Sequence, residues 1–409
     1  MGGLLSREKL GAAPEPLLIL AGLNLVDEFD RIAFTALAPE IRDAFALSDT
    51  AILALTIVPG VMILLAAGPI GRVADRFSRI HVSFGAAIMW GICAVLTAFV
   101  PTLGLLMLVR TLGGIGRTAN EIVHPSLLSD LYPPDNHPRV FQLHRLANPL
   151  AQASGVVAGF IGAHLGWTWA FYLMAAPTFV LAAMLLRVKD PGRRGLVGPK
   201  PRRVAVREAF ESLRAVPSIR RFWAVAFFLS LASFGMWALA SLYFEQIWDY
   251  GPRARGFVQF VIGFGWVIGV WVGGELSQRR IDQGRFEALA LVCANAFLLF
   301  VVGGLALAAA PTHWFALIAL GVLAAGNGVW QAPYYSAVGR LCPPGLSGQA
   351  YGSAVLVYAV GGLASLAIGA AADATSYRVG FVLIAASGLV AALVARSVAP
   401  LISADLAPA

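Results

Sequence analysis

The sequence predicts an all-α integral membrane protein of twelve transmembrane helices, arranged as two pseudo-symmetric six-helix bundles. Three observations carry this. Hydrophobic residues make up 58% of the chain and charged residues only 13%, with a mean hydropathy of +0.76; soluble domains carry about 25% charge. The apolar residues gather into about twelve runs, each long enough to cross a bilayer at ~1.5 Å per residue. The two halves also echo each other across a basic linker.

In order, the runs lie near 17–39, 50–71, 80–100, 103–125, 141–165, 168–187, 222–247, 254–276, 285–309, 314–338, 350–372 and 379–399. Strands do not need such length, so a helical bundle is expected rather than an outer-membrane barrel. Residues 1–16 read as a cytoplasmic tail without a removable leader. Residues 17–187 form the first bundle, 188–221 a cytoplasmic linker, 222–400 the second bundle and 401–409 a second cytoplasmic tail. The linker decides the orientation. From Arg187 to Arg221 eleven Lys or Arg face three acids, a local +8 equal to the net charge of the whole chain. Basic loops stay inside, so the linker and both termini are placed in the cytoplasm, in a multi-pass protein of the cell (inner or plasma) membrane. A basic stretch between membrane runs is not a nucleic-acid site. Around Val204–Val216 the linker turns amphipathic, as a segment resting on lipid head groups does.

The repeat is visible residue by residue. Gly71-Arg72-Val73-Ala74-Asp75-Arg76 follows span two, and Gly274-Glu275-Leu276-Ser277-Gln278-Arg279 follows span eight. Span four ends at Pro133-Pro134 and span ten at Pro343-Pro344, with Gly116 and Gly326 equally far upstream. A twofold repeat of this kind is the architecture of many secondary transporters.

Asp27, Glu28, Asp30 and Arg31 interrupt the middle of the first run. Facing lipid, four ionised groups would cost roughly 10–14 kcal/mol, at about 2.5–3.5 each. They must therefore face other helices or water. At about 100° per residue, Asn24, Asp27, Glu28 and Arg31 share an arc of about 100°, with Asp30 at its edge. On span four, Arg110, Gly114, Arg117, Glu121 and His124 share about 80°. Three arginines thus fall inside spans: Arg31, Arg110 and Arg117. Counting depth along both helices puts Asp30 level with Arg110, and Asp27 and Glu28 between Arg110 and Arg117. The expected pairs are Asp30 with Arg110, then Asp27 or Glu28 with Arg117; Arg31 and Glu121 complete the proton-coupling candidates. An acid beside an arginine stays ionised, and one withdrawn from it takes up a proton, so movement between two exposures couples protons to a solute.

The second half differs. Span ten carries Asn327, Trp330, Gln331 and Tyr334, and span seven carries Trp237 and Ser241. With Asn24 of span one, these are the expected substrate-cavity residues: neutral hydrogen-bonding and aromatic groups suited to an organic or amphipathic solute. Trp167, Trp169, Trp223, Trp248 and Trp314 read as interface anchors. Cys93, Cys293 and Cys342 lie in or near spans without a loop pairing, so neither a disulfide nor a metal site is expected. No cofactor loop or catalytic cluster is present in the sequence, so an enzyme is not expected.

Three segments carry a resemblance. Gly71-Arg72-Val73-Ala74-Asp75-Arg76-Phe77-Ser78-Arg79 resembles the loop 2–3 signature of the major facilitator superfamily: Gly, three residues, Asp, Arg, two residues, then a base. Arg110-Thr111-Leu112-Gly113-Gly114-Ile115-Gly116 is similar to its span-four motif, and Asp130 to Arg139 resembles its loop 4–5 pattern. The resemblance covers residues 17–400. It implies a secondary transporter working by alternating access, acting as a monomer, with a small-molecule substrate, protons and membrane lipids as its partners. It makes Gly71, Asp75, Arg76 and Arg79 a cytoplasmic gate, in which Asp75 caps a helix N-terminus or pairs with a base in one conformation. Gln278 replaces that acid in the second copy, so the gate is expected to be asymmetric. It also links Arg110 to proton coupling. Asn24 to Asp30-Arg31, with Gly-x-Gly in span four, looks like the Spinster-type branch, whose members move lysolipids and sphingolipid-like molecules. That branch usually carries a Glu directly after Gly-x-Gly, where this chain has Arg117. The favoured expectation is proton-driven antiport exporting a small amphipathic compound. A proton symporter importing a nutrient and a lysolipid or sphingolipid-like transporter are the alternatives, and a channel or receptor is disfavoured.

Overall fold

The structure is a computed structural model that describes residues 5–46, 49–192 and 206–405. Among the described residues every regular element is helical, and twelve rods of membrane-crossing length follow one another. The first six are span one (Glu15–Ala36), span two (Asp49–Arg76), span three (Arg79–Thr97), span four (Leu103–Leu131), span five (Pro134–Leu165) and span six (Trp167–Leu185). The second six are span seven (Pro217–Trp248), span eight (Pro252–Asp282), span nine (Ala288–Ala308), span ten (His313–Leu341), span eleven (Ser347–Ala374) and span twelve (Tyr377–Asp405). Among the described residues, nine helices are long and apolar enough to cross a membrane by length and composition; spans one, two and four are not among them. Of these, spans one and four carry the charge that the sequence placed inside the membrane.

Local chemistry sets the boundaries. Proline occupies the first turns of spans one, seven and eight, where its missing N–H has no partner to lose. Thr312 caps span ten by accepting the Phe315 N–H at 3.3 Å. Asp249 ends span seven in the left-handed region (φ 54°), and Pro252 opens the next. Internal prolines interrupt the hydrogen-bond ladder of two rods, whose backbone stays right-handed helical there. Pro149 cannot donate to the Arg145 carbonyl, and span five is interrupted directly after its His137–Arg145 segment. Pro333 cannot donate to the Val329 carbonyl, and span ten breaks at Trp330, between His313–Val329 and Gln331–Leu341.

The chain separates into two compact units. The first comprises 1–131, 150–204 and 344–353; the second comprises 132–149, 205–343 and 354–409. The cut is not confined to the linker: the start of span five belongs to the second unit, and the start of span eleven to the first. In the first unit, Ala33, Phe34, Leu37, Ile41, Leu55 and Phe171 belong to one buried apolar cluster beyond the charged part of span one. The second unit is centred on spans seven, nine, ten and twelve, where Phe297, Phe300, Phe381 and Tyr243 are fully buried. Of the basic linker, 193–205 lies outside the described residues. The amphipathic stretch is a helix, Val206–Ala215, whose Phe210 ring stacks on Trp223 at 5.2 Å.

Candidate functional site: an ionic seam, a loop clasp and an aromatic core

The seam lies in the first unit. Asp27, Glu28 and Asp30 are buried on span one, and each faces an arginine of span four. Arg110 Nη1 donates to both oxygens of Asp30, at 3.0 and 3.3 Å, and its guanidinium lies 4.3 Å from the Phe34 ring centroid. Arg117 Nη2 donates to Glu28 Oε1 at 2.7 Å, while the other Glu28 oxygen takes Arg31 Nε at 2.9 Å. Glu28 therefore bridges two arginines. Asp27 sits 3.8 Å from Arg117 Nε, 1% exposed, and neither of its oxygens accepts a hydrogen bond.

The two faces of span four explain the motif. Its arginines face span one, while Gly116 faces span three so closely that a Cβ there would lie 2.8 Å from the Ala86 carbonyl oxygen. Glycine lets the backbones approach, and that approach holds the arginine face toward the acids. Asn24 is buried one turn before the acids, and Glu121 is half-buried one turn beyond Arg117. His124, further along the same stripe, is fully buried.

Burial amends the count of arginines inside spans. Arg31 keeps 45% of its side chain exposed and belongs to the seam through Glu28 rather than through burial. Arg145, inside the fifth apolar run, is buried as well, and Arg79 is 1% exposed. The reason is packing: net hydropathy registers how many charges a run carries, not which of them a neighbouring helix covers.

The clasp also lies in the first unit. Asp75 accepts the Gly348 N–H at 2.7 Å and the Gln349 N–H at 2.9 Å, capping the opening of span eleven. A Cβ on Gly71 would lie 2.7 Å from the Gly348 carbonyl oxygen, so glycine is what lets the two segments meet. Arg79 Nη1 donates to the Ser126 carbonyl and hydroxyl, pairs with Asp130, and reaches Ser347 Oγ at 3.3 Å. Its Nη2 donates to the Gly192 carbonyl, and its backbone N–H donates to Asp190 at 3.2 Å. Arg76 is exposed and does not share this cluster.

The core of the second unit collects most of the remaining candidates. Ser233 donates to Asn327 Oδ1 at 2.9 Å, and Gln331 Nε2 donates to the Asn327 carbonyl at 3.3 Å. Tyr334 is buried and donates to the Phe222 carbonyl at 3.3 Å. The Trp330 ring packs against Tyr334 at 5.6 Å, Tyr335 at 6.3 Å and Tyr358 at 6.3 Å. Trp237 packs instead on Trp266 at 5.5 Å, and Ser241 is half-buried further along span seven. Sequence reasoning missed Tyr335, Tyr358, Ser233 and Arg145. Only Arg145 left a signal, a base inside an apolar run four residues before a proline.

A buried acid–base seam, proline-interrupted helices and a twofold repeat are features that membrane transporters share. Residues 20–366 match the Major Facilitator Superfamily, and the chain belongs to that family. It is similar to the human protein spinster homolog 1, with 25% identity over 309 residues, covering 68% of this chain and 57% of that protein. It is also similar to the zebrafish (Danio rerio) sphingosine-1-phosphate transporter SPNS2, with 26% identity over 313 residues, covering 69% of this chain and 60% of that protein. The matched part is thus somewhat over half the length of these relatives. Among solved structures, the E. coli fucose:proton symporter superposes with a TM-score of 0.75 at 15% identity, covering 94% of this chain and 98% of that one, a likeness of fold.

Proposed function

We propose that this transporter is a proton-coupled antiporter that exports a small amphipathic solute, and that the seam between spans one and four is its coupling site. One observation carries the reading: three buried carboxylates on span one meet two span-four arginines, with Asp30–Arg110 and Glu28–Arg117 in direct contact. A buried carboxylate deprived of its arginine is unstable as an anion, so separating the helices drives proton uptake and re-forming the pair drives release. Protonation thereby biases one arrangement of the helices over the other, which is what coupling requires. The Asp75 clasp would stabilise one of those arrangements by closing the cytoplasmic end. The basic linker supports a cytoplasmic position for both termini, in the cell membrane, and a monomer suffices for every step.

Reconstituted flux with and without a pH gradient is the test. Asp30→Asn is expected to abolish gradient-driven transport while substrate exchange and expression persist. Full gradient-driven flux by that variant would remove Asp30 from the mechanism. A second reading, in which the solute is a lysolipid or sphingolipid-like molecule, is supported by the similarity to the sphingosine-1-phosphate transporter.

A further inference from the structure

We propose that Arg145, the Trp330 indole N–H and the rings of Tyr335 and Tyr358 form a recognition site for the acidic head of an amphipathic organic anion. This deepens the transport reading by giving its solute a chemical class.

All four residues belong to the second unit. Arg145 is 3% exposed, and its guanidinium carbon lies 4.0 Å from the Tyr335 ring centroid. A guanidinium over a ring keeps its charge against the π face, and its planar fork of N–H donors matches carboxylate and phosphate oxygens. The near-parallel Tyr335 and Trp330 rings, 24° apart, continue this surface to Tyr358. Two polar groups here lack partners. Trp330 Nε1 and Gln331 Oε1 are buried without a hydrogen bond, on side chains 6% and 4% exposed. An indole N–H can only donate, so the group it awaits is an acceptor. The Gln331 oxygen accepts, and it suits a hydroxyl or a protonated oxygen of the same head.

The backbone gives an independent reason. Arg145 is the last residue before the Pro149 interruption, and Trp330 stands at the Pro333 break. The backbone stays right-handed helical at both places, and each proline removes one ladder bond; proline-interrupted spans in the two halves point to where a transporter holds its solute. The charge adds a sign. Acids and arginines balance in the first-unit seam, whereas a cation and aromatic rings mark this core, so the second unit suits negative charge with an apolar body.

The test uses the full chain in nanodiscs, with octyl phosphate, octanoate and octyltrimethylammonium as probes, followed by calorimetry. Octyl phosphate or octanoate is expected to bind and the ammonium probe not to. Binding of one anion only identifies the head as phosphate or carboxylate. Arg145→Gln is expected to weaken anion binding about tenfold or more, and Trp330→Phe about fivefold, the loss of one donor. Arg145→Lys retains the charge and is expected to bind better than Arg145→Gln. Wild-type affinity in Arg145→Gln, or ammonium binding as tight as that of the anions, overturns the proposal. If Arg145→Gln does not fold, unchanged affinity in both Arg145→Lys and Trp330→Phe overturns it instead. Anion binding without any pH-gradient-driven flux would defeat the coupling proposal and leave this one standing. Coupled flux of another solute, with no anion bound, would do the reverse.

Discussion

Asp75 and Gln278 occupy the same place in the two copies of the repeat, and they hold their partners by different chemistry. The Asp75 carboxylate only accepts, and it takes the first free N–H groups of span eleven at 2.7 and 2.9 Å. Negative charge there also complements the positive end of the helix. Gln278 divides its amide. Its oxygen accepts the Arg139 N–H at 3.3 Å, while its nitrogen donates to the Asp135 carbonyl at 2.6 Å and to Asp282 at 2.9 Å. Within the second unit Arg340 pairs with Asp135, whereas within the first Arg79 pairs with Asp130. Each clasp thus has an arginine–aspartate pair beside it, with Asp135 of the second exposed, and the first adds a helix cap made by a charge. The repeat conserves position; the chemistry at that position sets how far each clasp depends on ionisation.

The comparison can be broken by substitution. Arg110→Ala leaves Asp30 as an uncompensated buried charge and is expected to destabilise the first unit by about 3–5 kcal/mol. The melting temperature of the purified chain reads this, and a shift no larger than that of an exposed arginine such as Arg207→Ala would deny the seam its desolvated character. Asp75→Asn keeps the shape of the cap and loses its charge; a loss of about 1.5–3 kcal/mol is expected, the usual size for hydrogen bonds to charged groups. Gln278→Ala is expected to lose about 0.5–1.5 kcal/mol, as neutral bonds do. Equal losses at the two positions, in the same melting experiment, would erase the proposed asymmetry. Smallest of all, Tyr334→Phe removes one 3.3 Å bond to the Phe222 carbonyl and is expected to cost no more than about 1 kcal/mol.

The seam itself was legible because helical geometry is strict. Two residues at fixed spacing on a rigid rod share a face whatever surrounds them, so charges at 27, 28, 30 and 31 and at 110 and 117 could be paired before any coordinates. The exposure of Arg31 was not legible, because it depends on which neighbour covers that edge of span one. Nor was the aromatic core: Tyr335 and Tyr358 lie on different spans, and no periodicity links them. Arg145 was hidden by its surroundings, since a single base near the end of an apolar run looks like an interfacial charge until a ring is placed against it.

The membrane class, the all-helical make-up and the opposed charges of spans one and four were readable from the chain alone. These follow from hydropathy, rise per residue and angular period, which are local properties of the chain. Only the tertiary structure decided that the opening of span eleven caps onto Asp75, that the opening of span five joins the second unit, and that Arg145 sits over the Tyr335 ring. Those contacts join segments distant in sequence, and their energies come from close approach and the loss of water, which no local pattern encodes.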